Sequence, residues 1–204
     1  MERLQYISQG NTALEQQINI QKALDAGAGW IQVRWKNATE DSLRKLCCEV
    51  KILCKEYQAS YIVNDRVDIA KETEADGVHL GLNDGPVKNA RVILGAHKII
   101  GGTANTFSDV LHRIEEECDY IGLGPFRYTP TKEKLSPVLG LDGFQQIFQK
   151  LNEQLSVLPK IYAIGGIVSE DIKILKELGL YGVAISGEIT NNPDKTYKIK
   201  ELLQ

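Results

Sequence analysis

Ser60-Tyr61-Ile62-Val63-Asn64-Asp65-Arg66-Val67-Asp68-Ile69-Ala70-Lys71-Glu72-Thr73-Glu74-Ala75-Asp76-Gly77-Val78-His79-Leu80 holds two short apolar runs separated by a mixed segment. The runs at 60–64 and 77–80 have strand length and carry β-branched residues. Both are apolar almost throughout, as parallel strands covered on both faces must be. The segment that opens at Asp65 alternates as a short helix does, so the stretch predicts a strand–helix–strand unit.

The same alternation extends in both directions. Further strands are predicted at 4–8, 30–34, 98–102, 120–124, 160–164 and 182–186. Leu43, Leu46, Cys47, Val50, Leu53, Cys54 and Tyr57 recur at helical spacing after Thr39-Glu40-Asp41, a good helix start. Phe107, Val110, Leu111 and Ile114 form a second stripe. Phe144, Ile147, Phe148 and Leu151 form a third, with Asp142 and Gln145 in capping-box spacing. Ile172, Leu175 and Leu178 form a fourth after Ser169, and weaker helical segments follow Asn11, Asp84 and Pro193. Eight strands, each followed by helix, predict one α/β domain over residues 1–204, a (β/α)8 TIM barrel. An open doubly wound sheet is the alternative, because periodicity does not show closure.

A net charge of -3 gives no whole-molecule attraction for nucleic acid or an anionic membrane. An anionic ligand must then be held by local cations. The first residues lack a secretory apolar run, and no stretch nears the roughly 20 apolar residues of a membrane span. Cys47, Cys48, Cys54 and Cys118 lack zinc-site spacing and read as small hydrophobes in a reducing compartment. A cytoplasmic enzyme is the expectation, with homo-oligomer formation left open.

In a TIM barrel the active site forms where the strands end. Strand 2 ends in Gln32-Val33-Arg34-Trp35-Lys36, and alternation puts Gln32, Arg34 and Lys36 on one face, toward the axis. Two stacked cations repel each other and lose hydration, which a bound polyanion compensates. A solvated strand edge is the plain alternative. Asp65 after strand 3 and Asp84 after strand 4 then suit Mg²⁺ with a diphosphate, since Mg²⁺ prefers one or two carboxylates plus water and phosphate oxygens. Each aspartate also reads as a helix N-cap. Strand 5 runs into Gly101-Gly102-Thr103, where the glycines permit close backbone approach. The long loop Phe126-Arg127-Tyr128-Thr129-Pro130-Thr131-Lys132 suits a phosphate-gripping lid. Gly165-Gly166 after strand 7 and Ser186-Gly187 after strand 8 expose amides where this fold commonly binds phosphate. His79, inside a strand, reads as a satisfied core residue, and Trp35 as facing the helices.

Taken together and in order, the motifs resemble those of the thiamine phosphate synthase family across nearly the full chain. The matching segments include Gln32-Val33-Arg34-Trp35-Lys36, Asn64-Asp65-Arg66, Gly102-Thr103-Ala104-Asn105, Thr129-Pro130-Thr131-Lys132 and Ala163-Ile164-Gly165-Gly166. The resemblance implies that Gln32, Arg34, Lys36, Asn64 and Lys132 bind a hydroxymethylpyrimidine diphosphate, and that Asp65 and Asp84 hold Mg²⁺. It implies that Thr103 stands for a serine contacting that substrate. Thr129 and Thr131, with backbone groups at Gly166, Ile185 and Ser186, would hold a thiazole phosphate. Arg34, Lys36, Lys132 and Thr103 would carry catalysis, with no protein nucleophile. The chain departs from the family at Leu82, where glutamine is frequent, at Asn83, and at Ser8-Gln9-Gly10, which lacks an acid. A related thiazole tautomerase or regulator branch carries a histidine where Pro125 stands here, and a silent phosphate-binding regulator would not need the aspartate pair. An epimerase would need a facing pair of proton-transfer groups that the sequence does not offer.

Overall fold

A computed structural model describes residues 1–129 and 137–204. The apolar runs form eight parallel strands in a closed barrel. They are β1 (Leu4–Ile7), β2 (Trp30–Val33), β3 (Ser60–Asn64), β4 (Gly77–Leu80), β5 (Ile99–Ala104), β6 (Tyr120–Leu123), β7 (Ile161–Ile164) and β8 (Gly182–Ile185). Helices α1 (Ala13–Asp25), α2 (Glu40–Glu56), α3 (Val67–Glu72), α4 (Val87–Leu94), α5 (Phe107–Glu115), α6 (Gly140–Gln154), α7 (Ile172–Glu177), α8 (Gly187–Asn191) and α9 (Lys195–Leu203) fill the connections and the tail. Leu4, Gln5 and Tyr6 pair with Val183, Ala184 and Ile185, so β1 and β8 close the ring and exclude the open sheet. Most strand ends shift by one residue from expectation, while β5 runs on to Ala104.

The helix starts follow local chemistry. Thr12 and Glu15 form a reciprocal capping box before α1, and Thr106 with Asp109 does the same before α5. The hydroxyl of Thr39 accepts from the Ser42 amide and starts α2. Three expectations need correction. Asp142 does not cap α6, which begins at Gly140 with Leu139 in the cap position and leaves Asp142 in its first turn. Arg66, not Asp65, precedes α3, and Pro86, not Asp84, precedes α4. Both aspartates are therefore released from capping.

Two apolar layers hold the barrel. Outward strand residues such as Ile31, Val33, Val63 and Val78 pack beneath helix residues such as Leu46, Val50 and Ile69, all nearly inaccessible. Inside, Trp30, Ile62, Tyr120 and Tyr162 form a separate plug. The Trp30, Tyr120 and Tyr162 rings meet edge to face with centroids 4.9–5.3 Å apart. Such pairs each contribute about 1 kcal/mol beyond simple burial. Alternation then turns the next inward residues along the strands, including Ile7, Gln32, Asn64, His79, Thr103 and Ile164, toward the C-terminal mouth.

Candidate active site

Two cavities open at that mouth. The polar one, of about 350 Å³, is lined by Gln32, Arg34, Lys36, Asn64, Asp65, Asp84 and Thr103, with His79 beneath. It gathers every described residue expected for the diphosphate and metal site. The second, of about 670 Å³, is lined by Thr129, Gly165, Gly166 and Ser186, with Pro125 and Tyr128. Ile7, Arg34 and Ile164 line both, so the cavities meet there. Thr131 and Lys132 lie outside the described residues.

The two strand-2 cations differ in setting. Arg34 is half-buried, and Lys36, in the turn beyond the end of β2 at Val33, is exposed. The Arg34 backbone is held at both ends. Its amide donates to Ser8 Oγ at 2.9 Å, and its carbonyl accepts from Gln16 Nε2 at 3.2 Å. Burial lowers the guanidinium pKa, opposed by the charge of Asp65.

Asp65 takes the left-handed conformation at φ 65°, and its amide donates to the His79 carbonyl at 2.8 Å. Asp84 turns back so that Oδ2 accepts the Gly81 amide at 2.6 Å. A Cβ at residue 81 would lie 2.6 Å from that same oxygen, so a larger residue there would displace the Asp84 carboxylate. These two loops bring both carboxyl groups into the same cavity. Burial first, then the hydrogen bond and charge of Asp84, push Asp65 up to about 7 against the pull of Lys36 and Arg34. Two crowded carboxylates that resist ionising together suit a divalent cation, and the adjoining Arg34 and Lys36 suit the oxygens of a polyanion. Among the described residues no group of three or more His, Cys, Asp or Glu could hold a metal. A cation here would take its other ligands from water and from the bound anion, as Mg²⁺ prefers.

The second cavity is built from backbone. Gly165 and Gly166 have φ 85° and 69°, and Cβ atoms there would lie 2.7 Å from Pro125 and Arg127. The Ser186 hydroxyl is committed to the Ile7 carbonyl at 2.6 Å. Ile185 is buried and is not a lining residue of this cavity, whereas its neighbours Ala184 and Ser186 are.

Several supports were not evident in the sequence. Arg113 of α5 is buried and donates through Nε to the Thr103 carbonyl at 3.0 Å and through Nη2 to the Gly81 carbonyl at 2.8 Å. Its third arm meets Glu116 Oε2 at 2.6 Å. One helix residue thus pins the ends of two strands. The close contact at Gly102 is with this side chain, at 2.7 Å from an added Cβ, and the one at Gly101 is with the Tyr120 ring. The close approach expected at these glycines is made by protein side chains. Arg127 pairs with the buried Asp171 and donates to the Gly166 carbonyl at 3.0 Å, joining the loops after β6 and β7. Trp35 packs toward the helices as expected, its Nε1 donating to the Asn11 carbonyl at 3.2 Å.

Fold and site define a (β/α)8 barrel with adjoining polar and glycine-lined cavities suited to anionic small molecules. The family model described as thiamine monophosphate synthase matches residues 6–189. A protein named thiamine-phosphate synthase from Flavobacterium johnsoniae is 54% identical over 200 residues, covering 98% of this chain and 94% of the relative. One of the same name from Flavobacterium psychrophilum is 53% identical, covering 98% and 97%. The solved thiamine phosphate pyrophosphorylase from Pyrococcus furiosus superposes with a TM-score of 0.80 at 28% identity, covering 99% of this chain and 97% of that one. The chain belongs to the thiamine monophosphate synthase family, a family of transferases.

Proposed function

We propose that this chain is a thiamine phosphate synthase. It would join hydroxymethylpyrimidine diphosphate to hydroxyethylthiazole phosphate, or the carboxylated form of that thiazole, and release pyrophosphate. The observation that carries this is the meeting of the two cavities at Ile7, Arg34 and Ile164. A diphosphate in the polar cavity and a monophosphate in the glycine-lined one bring their organic ends together.

Gln32, Asn64 and Thr103 orient the pyrimidine, while Arg34 and Lys36 meet the diphosphate. The bond between the pyrimidine methylene and the diphosphate breaks first, and the thiazole nitrogen captures the resulting cation. Charge accumulates on the departing pyrophosphate, so fixed cations lower the barrier most where that charge gathers. Arg34 offers a planar fork and Lys36 a point charge. The motif adds Lys132 to that cluster and Thr131 to the thiazole phosphate. Mg²⁺, held by Asp65 and Asp84, would supply Lewis-acid neutralisation of the pyrophosphate oxygens. Thr129 and backbone groups at Gly165, Gly166, Ile185 and Ser186 hold the thiazole phosphate.

No membrane or nucleic acid enters this scheme, and the described residues contain no helix long and apolar enough to cross a membrane. The four cysteines, all free thiols, suit the cytoplasm.

Calorimetric titration with inorganic pyrophosphate and with thiazole phosphate tests the two-cavity scheme. Pyrophosphate should bind only with Mg²⁺, thiazole phosphate without it, and each should bind in the presence of the other. Mutual competition would overturn the scheme.

A further inference from the structure

Beneath the polar cavity lies a chain of hydrogen bonds whose direction is set by its first members. Gln32 Nε2 donates to Gln5 Oε1 at 2.8 Å. Gln5 Nε2 donates to the Tyr120 hydroxyl at 3.2 Å. An amide nitrogen only donates, so the phenol oxygen accepts from Gln5, whose own amide oxygen is taken by Gln32. Its single hydrogen is then directed to the remaining contact, His79 Nδ1 at 2.8 Å. Burial holds the Tyr120 hydroxyl well above its ordinary pKa, which keeps that hydrogen in place. With Nδ1 accepting, a neutral imidazole carries its hydrogen on Nε2. Nε2 lies 2.9 Å from Thr103 Oγ1, which therefore accepts. The Thr103 hydrogen is left to point elsewhere, and Thr103 lines the cavity.

We infer that His79 is a positioning residue, fixed as the Nε2–H tautomer by Gln5, Gln32 and Tyr120, and that it makes the Thr103 hydroxyl a hydrogen-bond donor into the cavity. This rests on the proposed reading of that cavity as the pyrimidine diphosphate site. The group facing Thr103 must then be an acceptor, a ring nitrogen lone pair or a phosphate oxygen, and not an amino group.

The packing is specific to this arrangement. A Cβ at Gly101 would lie 2.1 Å from the Tyr120 ring, and one at Gly122 would lie 3.1 Å from His79 Cε1. Both rings sit in the barrel interior beside glycines, Gly101 on the adjacent strand β5 for Tyr120 and Gly122 on β6, two strands from β4, for His79. His79 also presents the carbonyl that receives the Asp65 amide, so it sits under both the substrate and the metal side of the cavity.

The test reads the tautomer directly. Nitrogen-15 NMR of histidine-labelled protein has three histidines to separate, and His79→Asn identifies the signal that vanishes. The resting protein should show His79 protonated on Nε2 with Nδ1 as acceptor, and Tyr120→Phe should weaken that preference. In kinetics, Tyr120→Phe and Thr103→Val should raise KM for the pyrimidine diphosphate about tenfold, the scale of one lost hydrogen bond. KM for the thiazole phosphate should stay within about twofold, and Thr103→Ser, which keeps the hydroxyl, should raise the pyrimidine diphosphate KM less than Thr103→Val does. An Nδ1–H tautomer in the resting protein would overturn the inference, as would folded Thr103→Val with unchanged pyrimidine diphosphate KM. The tautomer is measured without substrate, so that result is separate from whether coupling activity is found.

Discussion

The carboxyl groups of Asp65 and Asp84 line one cavity closely enough that Asp84 raises the pKa of Asp65, although they stand on loops after different strands. Neither caps a helix, and the pair lies beside Arg34 and Lys36 in one cavity. This placement juxtaposes two like charges at a site whose surroundings are otherwise cationic, an arrangement that a divalent cation and a polyanion together would balance.

Asp65→Asn and Asp84→Asn should each lower Mg²⁺-dependent turnover by about 100-fold or more. Neither removes a core contact, so the melting temperature should change by only about 2 °C. Steady-state kinetics across a Mg²⁺ series, with thermal melts, checks both. Wild-type turnover in either variant would remove it from the metal site.

Arg113→Met should be costly in a different way. It strips three hydrogen bonds and leaves Glu116 poorly compensated near the protein interior. Loss of about 3 kcal/mol is expected, because one partner of a buried pair is removed. Chemical denaturation measures it, and a loss below about 1 kcal/mol would show that the two strand ends do not depend on this clamp.

How much of this is legible in the sequence differs by residue. The strand and helix pattern is readable because each run is longer than its boundary error, and the cavity cations and aspartates are readable because strand ends converge in a closed barrel. Arg113 is not, since nothing in the α5 stripe says that an arginine at its C-terminal end turns inward to two carbonyls. Gly101 and Gly102 are only half legible for a related reason. Glycine signals a close approach without naming what approaches, here Tyr120 and Arg113. His79 reads correctly as a core residue, but its hydrogen-bond direction depends on Gln5 and Tyr120, which lie far away in the chain.

Arg127→Ala should open the second cavity. Its guanidinium joins Asp171 to the Gly166 carbonyl, but the side chain is 48% exposed, so the stability cost should be about 1 kcal/mol. The larger effect should be a severalfold rise in KM for the thiazole phosphate, with the pyrimidine diphosphate KM little changed. Separate substrate titrations distinguish this from a general loss of fold, which would move both.

The thiols make an independent check on packing. Burial pushes Cys47, Cys54 and Cys118 up to about 12, with Arg113 partly opposing the shift at Cys118, whereas Cys48 is exposed. Native protein at about pH 8 should release about one equivalent with a disulfide reagent, and four after denaturation. The raised folded values also set the direction of a pH effect. Stability from the protonated thiols is complete below the unfolded value of 9.0 and is lost as pH rises toward about 12. Melting temperature should therefore fall across that alkaline range, and less steeply in Cys47→Ala than in the parent.

The most direct test of the central claim is the coupling reaction itself. Purified protein is mixed with hydroxymethylpyrimidine diphosphate, hydroxyethylthiazole phosphate and Mg²⁺, and thiamine phosphate is followed by fluorescence after oxidation. Product that requires both substrates and disappears with a chelator is the predicted result. Folded protein that binds thiazole phosphate yet forms no product would contradict the synthase assignment.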